Sequence, residues 1–365
     1  MKPRYVMVGG FLGAGKTTAL LRLANHFRGK GQRVGLITND QSVGLVDTAM
    51  LAHHDFPVEE ITGGCFCCRF NTLTEAARKL SESDTPEVFL AEPVGSCTDL
   101  TATVSYPLRR LYGEDFTIAP YTVLIDPTRA ERILGLEQGK SFSPKVLYIY
   151  RKQLEEADII GINKCDILDD SRLSRLKSAL EKEFPKAVVL AFSARTGQGF
   201  DTWTPILERD EQQTQPTMAV DYDTYAEGEA LLGWLNLTAR VNGEEVDGNG
   251  LVLCLLTEIQ QLCAADQIEL AHLKATLTPD NGNDLAIANL TRTDGEAELS
   301  HTLDDTLTTG ELILNLRAEA DPETLRFLVN TVLLRQPGVT VTIHHIEAFR
   351  PGKPVPTHRD VVGAV

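Results

Sequence analysis

An α/β fold, with a parallel sheet flanked by helices and a second, smaller α+β domain, is what this sequence predicts, and three observations carry it. Up to about residue 213, short apolar runs alternate with helical patterns. Each run stops at glycine or at polar residues. Beyond a polar, proline-containing break at 208–218 the grammar changes to longer strands and two helical patterns. The expected domains are therefore residues 1–213 and 219–365.

The early runs are "RYVMVGG", "RVGLITND", "EVFLAEP", "YTVLIDP", "DIIGINK" and "AVVLAFS". Apolar residues on both strand faces belong in a parallel sheet covered on both sides. The run ends (Gly9 and Gly10, Asn39 and Asp40, Glu92, Asp126, Asn163 and Lys164, Ser193) should then gather along the carboxyl edge, where open parallel sheets bind ligands. In the second half, "GEALLGWLNLTARV" reads as a strand and "LVLCLLTEIQQLCAA" as a helix. "IELAHLKATL", "DLAIANLTR" and "GELILNLRAE" read as strands, "PETLRFLVNTVLLR" as a helix starting near Pro322, and "VTVTIHHIEAF" as a closing strand.

Composition narrows the function classes. The 365 residues are 42% hydrophobic, enough for a substantial core. No leader pattern opens the chain and no apolar run nears the ~20 residues of a membrane helix, so a cytoplasmic location without membrane partners is expected. The formal charge of -16 is concentrated. Residues 221–320 hold 19 acids and 4 bases, a net -15, a field that repels nucleic acid. Seven irregularly spaced cysteines do not form a disulfide framework, and adjacent Cα atoms such as those of Cys67 and Cys68 sit ~3.8 Å apart, too close for an ordinary bridge.

Directly after the first strand, "GGFLGAGKTT" satisfies G-x-x-x-x-G-K-[ST] and leads into "TALLRLANHF". This strand, loop and helix context places the first domain in the P-loop NTPase class. Gly10, Gly13, Ala14 and Gly15 supply a loop whose N–H groups face phosphates, Lys16 adds charge near the β and γ phosphates, and Thr17, followed by Thr18, offers a hydroxyl to Mg²⁺. "NKCD" (Asn163, Lys164, Cys165, Asp166) and "SARTG", opening with Ser193 and Ala194, select the base. A carboxylate at Asp166 can accept from the N1–H and 2-amino groups of guanine, which adenine lacks. GTP and GDP are therefore the expected ligands. "AEPVG" provides Glu92 for the Mg²⁺ network and Gly95, whose N–H can meet the γ-phosphate; with Lys16 and Thr17, Glu92 completes the expected catalytic group. Asp40 and Asp47, in "NDQSVGLVD", are candidates for a switch segment. Asp126 reads as a helix cap.

"GGCFCCRF" clusters Cys65, Cys67 and Cys68. Three converging thiolates suit Zn²⁺ or Co²⁺, with a fourth position filled from elsewhere. Taken together, "GGFLGAGKTT", "GGCFCC", E-x-x-G at Glu92 and "NKCD" resemble the CobW-type (COG0523) GTPases, over about residues 4–205. The resemblance implies GTP-dependent handling of a transition metal, commonly zinc or cobalt. Cys65, Cys67 and Cys68 would be the metal ligands and Glu92 part of the Mg²⁺ and switch machinery. It also implies a metallochaperone that hydrolyses GTP and delivers its ion to a client metalloprotein, with no oligomeric state specified. The family's N-E-x-G after the second strand reads Asn39, Asp40, Gln41, Ser42 here. Rival readings are a GTPase activator of a metalloenzyme with a structural zinc, a storage or sensor module with little GTP turnover, and a P-loop kinase.

Overall fold

Every apolar run of the first half forms a strand. In a computed structural model describing residues 2–39, 46, 51, 54–209, 217–281 and 284–360, these are β1 (Arg4–Gly10), β2 (Val34–Asn39), β4 (Val88–Glu92), β6 (Thr122–Ile125), β7 (Ile159–Ile162) and β8 (Val188–Ala191). Two short strands, β3 (Val58–Ile61) and β5 (Thr117–Ile118), join them. All pair in parallel in the order β3-β2-β4-β1-β6-β7-β8, with β5 beside β1. The helices of this half are α1 (Lys16–Gly29), α2 (Phe70–Ser83), α3 (Tyr106–Tyr112), α4 (Pro127–Ile133), α5 (Pro144–Glu155), α6 (Asp170–Glu183) and α7 (Phe200–Leu207). α1 shows why they stay on the sheet: Ala19, Leu20, Leu23, Ala24 and Phe27 recur at helical spacing and are buried. Burial of a leucine or phenylalanine stabilises by about 1.5–3 kcal/mol. The sheet order brings the carboxyl ends of β1, β2, β4, β6, β7 and β8 to one edge.

A helix, α8 (Tyr222–Leu231), precedes the second sheet. The "GEALL" stretch expected to open a strand instead closes this helix, and β9 begins at Leu232. α9 (Gly248–Ala265), β10 (Glu269–Pro279), β11 (Ala286–Leu290), β12 (Glu298–His301), β13 (Leu307–Glu319), α10 (Pro322–Leu333) and β14 (Val339–Phe349) follow. The sheet is antiparallel, ordered β12-β11-β10-β13-β9-β14. Its core combines strand leucines 235, 237, 273, 277, 312, 314 and 316 with Val252, Leu255, Leu256 and Ile259 of α9 and Leu325 and Val329 of α10. Asp247 and Asp321 cap α9 and α10 by accepting from the N–H groups of Gly250 and Glu323.

The partition of the chain differs from a single cut between 213 and 219. One compact unit comprises residues 1–41, 54–226 and 353–365, the other 42–53 and 227–352. The physical reason lies in particular bonds. Tyr222 and Tyr225 bond to Asp99 and Thr98 of the first unit, and the segment after β14 returns to it. Conversely, the Val46 N–H donates to Asn315 Oδ1 at 3.0 Å, and Val46 packs on Leu285 and Ile287 of the second unit. Asp40 and Asp47, the expected switch acids, lie outside the described residues.

Candidate functional site

The loop after β1 is shaped by three glycines in left-handed or glycine-only conformations, Gly10 (φ 131°), Gly13 (φ 82°) and Gly15 (φ 85°). Gly15 is the N-cap of α1, so the N-terminus of that helix opens into the loop. Lys16 and Thr17 are buried in the first turn, while Thr18 is exposed. The end of β4 meets them. Thr17 Oγ1 donates to Glu92 Oε1 at 3.2 Å, and Lys16 Nζ lies 3.7 Å from the same oxygen. Gly95 completes the group, since a Cβ there would fall 2.7 Å from Leu12 Cδ2 and 3.1 Å from Lys16 Nζ. The four residues expected to act on phosphate and Mg²⁺ are thus brought together.

The residues expected to select the base brace the same loop. Asn163 Nδ2 donates to Ala14 O at 2.8 Å, and its Oδ1 accepts from the Ala194 N–H at 2.9 Å, tying the ends of β7 and β8 to the P-loop. Lys164 adopts a left-handed conformation (φ 56°) and donates to Gly13 O at 2.9 Å and to Asp126 Oδ2 at 2.7 Å. Asp126 also caps α4 by accepting from the Arg129 N–H at 3.0 Å. Burial opposes its charge, but Lys164, Arg129 and these hydrogen bonds prevail and hold its carboxyl well below the usual range. Ser193 is fully buried and its Oγ accepts from the Thr196 N–H at 3.1 Å. Asp166 is exposed at the start of a short 3₁₀ turn (Cys165–Ile167), and Cys165 is a buried filler. Sequence reasoning missed Arg129. It is buried, donates to Leu12 O at 2.9 Å and lies over the rings of Phe11 and Phe142, so it braces the P-loop.

The three cysteines converge. Cys65 and Cys67 are buried, Cys68 is half-buried, and their sulfurs are separated by 2.8 Å (65 to 67), 3.3 Å (65 to 68) and 3.8 Å (67 to 68). Tetrahedral zinc with Zn–S bonds of about 2.3 Å separates its sulfurs by about 3.8 Å. The donor chemistry fits, and the two shorter separations need to open by less than an atomic radius to admit the ion. Asn39, at the end of β2, fixes the loop: its Nδ2 donates to Ile61 O at 3.0 Å and Gly64 O at 2.7 Å, and its Oδ1 accepts from the Phe66 N–H at 2.9 Å. Arg69 closes the base of the loop by donating to Gly63 O at 3.0 and 3.2 Å. Hydrogen bonds with Cys67, Cys68 and Cys97 outweigh burial and lower the Cys65 pKa well below the ordinary thiol value. Cys67 is raised for the converse reason, its hydrogen bond with Cys65 coming first, and Cys68 is pushed up to about 11 by its own bond with Cys65.

A pH dependence follows. Cys67 and Cys68 carry protons at neutral pH, and an ion can bind them only as thiolates. Proton and metal therefore compete, so apparent zinc affinity should rise with pH between about 6 and 8.5, and binding heats should vary with the ionisation enthalpy of the buffer. Competition titration and calorimetry on reduced protein check this; a flat profile would mean that the thiols are not the ligands.

A second feature was invisible in the sequence. Residues 353–360 run across the cysteine loop. The Val355 N–H donates to Cys68 Sγ at 3.2 Å, the Thr357 N–H to Cys67 O at 2.8 Å and Thr357 Oγ1 to Cys68 O at 3.1 Å. His358 meets the Phe70 ring edge-on, Arg359 pairs with the buried Asp99 at 2.7 Å, and Asp360 pairs with Arg110 at 2.7 Å. Among the described residues, Cys65, Cys67 and Cys68 are the group of three or more potential metal donors, and no helix is long and apolar enough to cross a membrane.

A family model described as "CobW/HypB/UreG, nucleotide-binding domain" matches residues 4–191. The zinc chaperone YeiR of Escherichia coli (strain K12) is 32% identical over 165 residues, 44% of this chain and 46% of that protein. The zinc-regulated GTPase metalloprotein activator 1 of Dictyostelium discoideum is 24% identical over 214 residues, 50% of this chain and 44% of that protein. The chain thus spans about half the length of these relatives. Among solved structures, the Zn(II)-bound YjiA GTPase from E. coli matches 91% of this chain and 99% of its own at 15% identity, with a TM-score of 0.39.

Proposed function

The chain belongs to the CobW/HypB/UreG nucleotide-binding family, and on that premise we propose that it is a GTP-hydrolysing metallochaperone that takes up zinc or cobalt on Cys65, Cys67 and Cys68 and passes it to a client metalloprotein. The single observation that carries this reading is the segment after β4. Glu92 touches Thr17 and Lys16, Gly95 lies against Lys16, and Asp99, four residues on, pairs with Arg359 of the segment whose Thr357 bonds to the Cys67 and Cys68 carbonyls. A change at the γ-phosphate position therefore reaches the cysteine loop through two short stretches of backbone.

The residues divide the work as follows. The P-loop N–H groups and the N-terminus of α1 orient the phosphates, and Lys16 offsets their charge. Thr17 and Glu92 are the residues that would hold Mg²⁺, which supplies charge neutralisation on the transferring phosphoryl group. Their separation of 3.2 Å is close to the edge of an octahedron with Mg–O bonds of about 2.1 Å, roughly 3.0 Å. Lys164 and Asn163 keep the loop in register, and Asp166, exposed beside them, is placed to read guanine. The thiols exchange protons for the cargo ion.

Zinc affinity measured with a GTP analogue and with GDP should differ several-fold; equal affinities would remove the coupling. Cys67→Ser should weaken metal binding while guanine-nucleotide binding persists. One observation favours a second reading, in which the zinc is structural and the protein activates a metalloenzyme: Cys65 and Cys67 are only 6% and 1% exposed. Metal held tightly in every nucleotide state would decide for it.

A further inference from the structure

Gln153 is an amide on an otherwise apolar helix face. The buried positions of α5 are Val146, Ile149, Tyr150, Gln153 and Leu154, at the spacing of one helical stripe. Gln153 is 1% exposed, and its Nε2 donates to Gly95 O at 2.9 Å and to Cys97 O at 2.8 Å. Both carbonyls belong to the turn after β4, which the Cys97 N–H closes by donating to Val94 O at 3.0 Å, with Gly95 and Ser96 between. Gln153 Oε1 is buried and meets no donor among the described residues. Burying a carbonyl that way costs stability, and an apolar side chain would fill the same space without the cost. What an apolar side chain would not supply is the pair of bonds to the turn. The same helix also grips the P-loop: Tyr150, one turn before Gln153, meets the ring of Phe11 edge-on, with centroids 5.7 Å apart. One turn after Gln153, Glu156 accepts from Thr98 Oγ1 at 3.2 Å and from the Thr101 N–H at 2.9 Å. α5 therefore registers the Gly95 turn against the phosphate-binding loop.

We propose that Gln153 is a positioning residue for GTP hydrolysis, holding the Gly95 turn at the distance from the P-loop at which the Gly95 N–H meets the γ-phosphate. The proposal rests on the reading of Gly95 as the γ-phosphate partner and adds what sets its place. That place is tight, since a Cβ on Gly95 would fall 2.7 Å from Leu12 Cδ2 and 3.1 Å from Lys16 Nζ. In the reaction a water oxygen bonds to the γ-phosphorus and the bond to the β,γ-bridging oxygen breaks, its electron pair staying with GDP. One proton of the water remains on the new P–OH and the other passes to the released phosphate. Gln153 acts on none of these atoms directly. It acts through Gly95, because a donor stabilises the charge on the transferring group only when it is held in place beforehand. GDP has no γ-phosphate, so its binding does not draw on this contact.

The test compares the unmutated full chain with Gln153→Met and Gln153→Glu, neither of which presents the paired N–H donors. The probes are GDP and a non-hydrolysable GTP analogue, each with Mg²⁺. Affinity for the analogue should fall about tenfold in both variants, the loss that one misplaced hydrogen bond brings, while GDP affinity changes by less than about twofold. The kcat for GTP should fall by up to about a hundredfold, as misplacement by about 1 Å does. Thermal melts accompany the titrations, and Gln153→Glu, which keeps the length and volume of glutamine, decides the matter where Gln153→Met melts below the assay temperature. Parallel loss of both nucleotides would make Gln153 a purely structural residue and overturn the proposal. An unchanged analogue-to-GDP affinity ratio with unchanged kcat would overturn it too. Gly95→Ala, measured alongside, separates the two readings. If it leaves analogue affinity unchanged while GDP binds, the γ-phosphate role of Gly95 falls as well; if it alone weakens analogue binding, only the role of Gln153 falls.

Discussion

Replacing Gly10 with alanine is expected to destabilise the nucleotide-binding unit by about 3–5 kcal/mol, lowering its melting temperature by roughly 10 °C or more. Two costs add. The backbone at φ 131° is outside the range of residues bearing a Cβ. The added carbon would also fall 2.3 Å from Leu124 O and 2.9 Å from Leu124 N, main-chain atoms of the paired strand β6 that no rotamer change can withdraw. Thermal unfolding of the variant beside the unmutated chain reads the effect. Gly29→Ala is the internal control, because nothing lies within 4 Å of a Cβ at that position and its φ is ordinary; equal melting temperatures for the two variants would refute the steric argument.

Lys16→Ala should cost about tenfold to a hundredfold in GTP and GDP affinity, the range for losing a charge-assisted hydrogen bond to phosphate, and should bring turnover to background. Zinc binding in the absence of nucleotide should survive, because none of the sulfur-fixing contacts of Asn39, Arg69 or Val355 involves this lysine. Equilibrium dialysis with each ligand separately measures both halves. Nucleotide affinity unchanged by the substitution would mean that the phosphates do not sit over α1. The variant also leaves the buried Glu92 carboxylate without its nearby ammonium, so some loss of stability is expected alongside, and binding should be measured at a temperature where the variant is folded.

What could be read in advance was local. The P-loop, the "NKCD" turn and the cysteine cluster each lie within about ten consecutive residues, so their chemistry is written by adjacency. The six strands of the first sheet announced themselves as apolar runs bounded by polar ends. What could not be read depends on pairs far apart along the chain. Nothing local marks Arg129 as a brace for Leu12, Asn39 as the tether of the cysteine loop, or Cys97 as a neighbour of Cys65. These meet only because the sheet sets β6 beside β1, β3 beside β2 and β4 beside β2, an order that periodicity does not specify. The unit boundaries were missed for a related reason: α8 bonds back to Thr98 and Asp99, and the residues after β14 leave the antiparallel sheet for the first unit. A "GEALL" run ending a helix and continuing into β9 gave no polar break to mark the join.

The residues lying across Cys67 and Cys68 also impose an order of assembly. Val355 is 287 positions downstream of Cys68. At ribosomal rates of roughly 5–20 residues per second, the thiols leave the tunnel some 15–60 s before the segment that covers them. During that interval the nascent loop can be metallated, or oxidised, by whatever reaches it first. On the proposed function, the first ion this protein takes up is therefore chosen as much by the kinetics of translation as by equilibrium affinity.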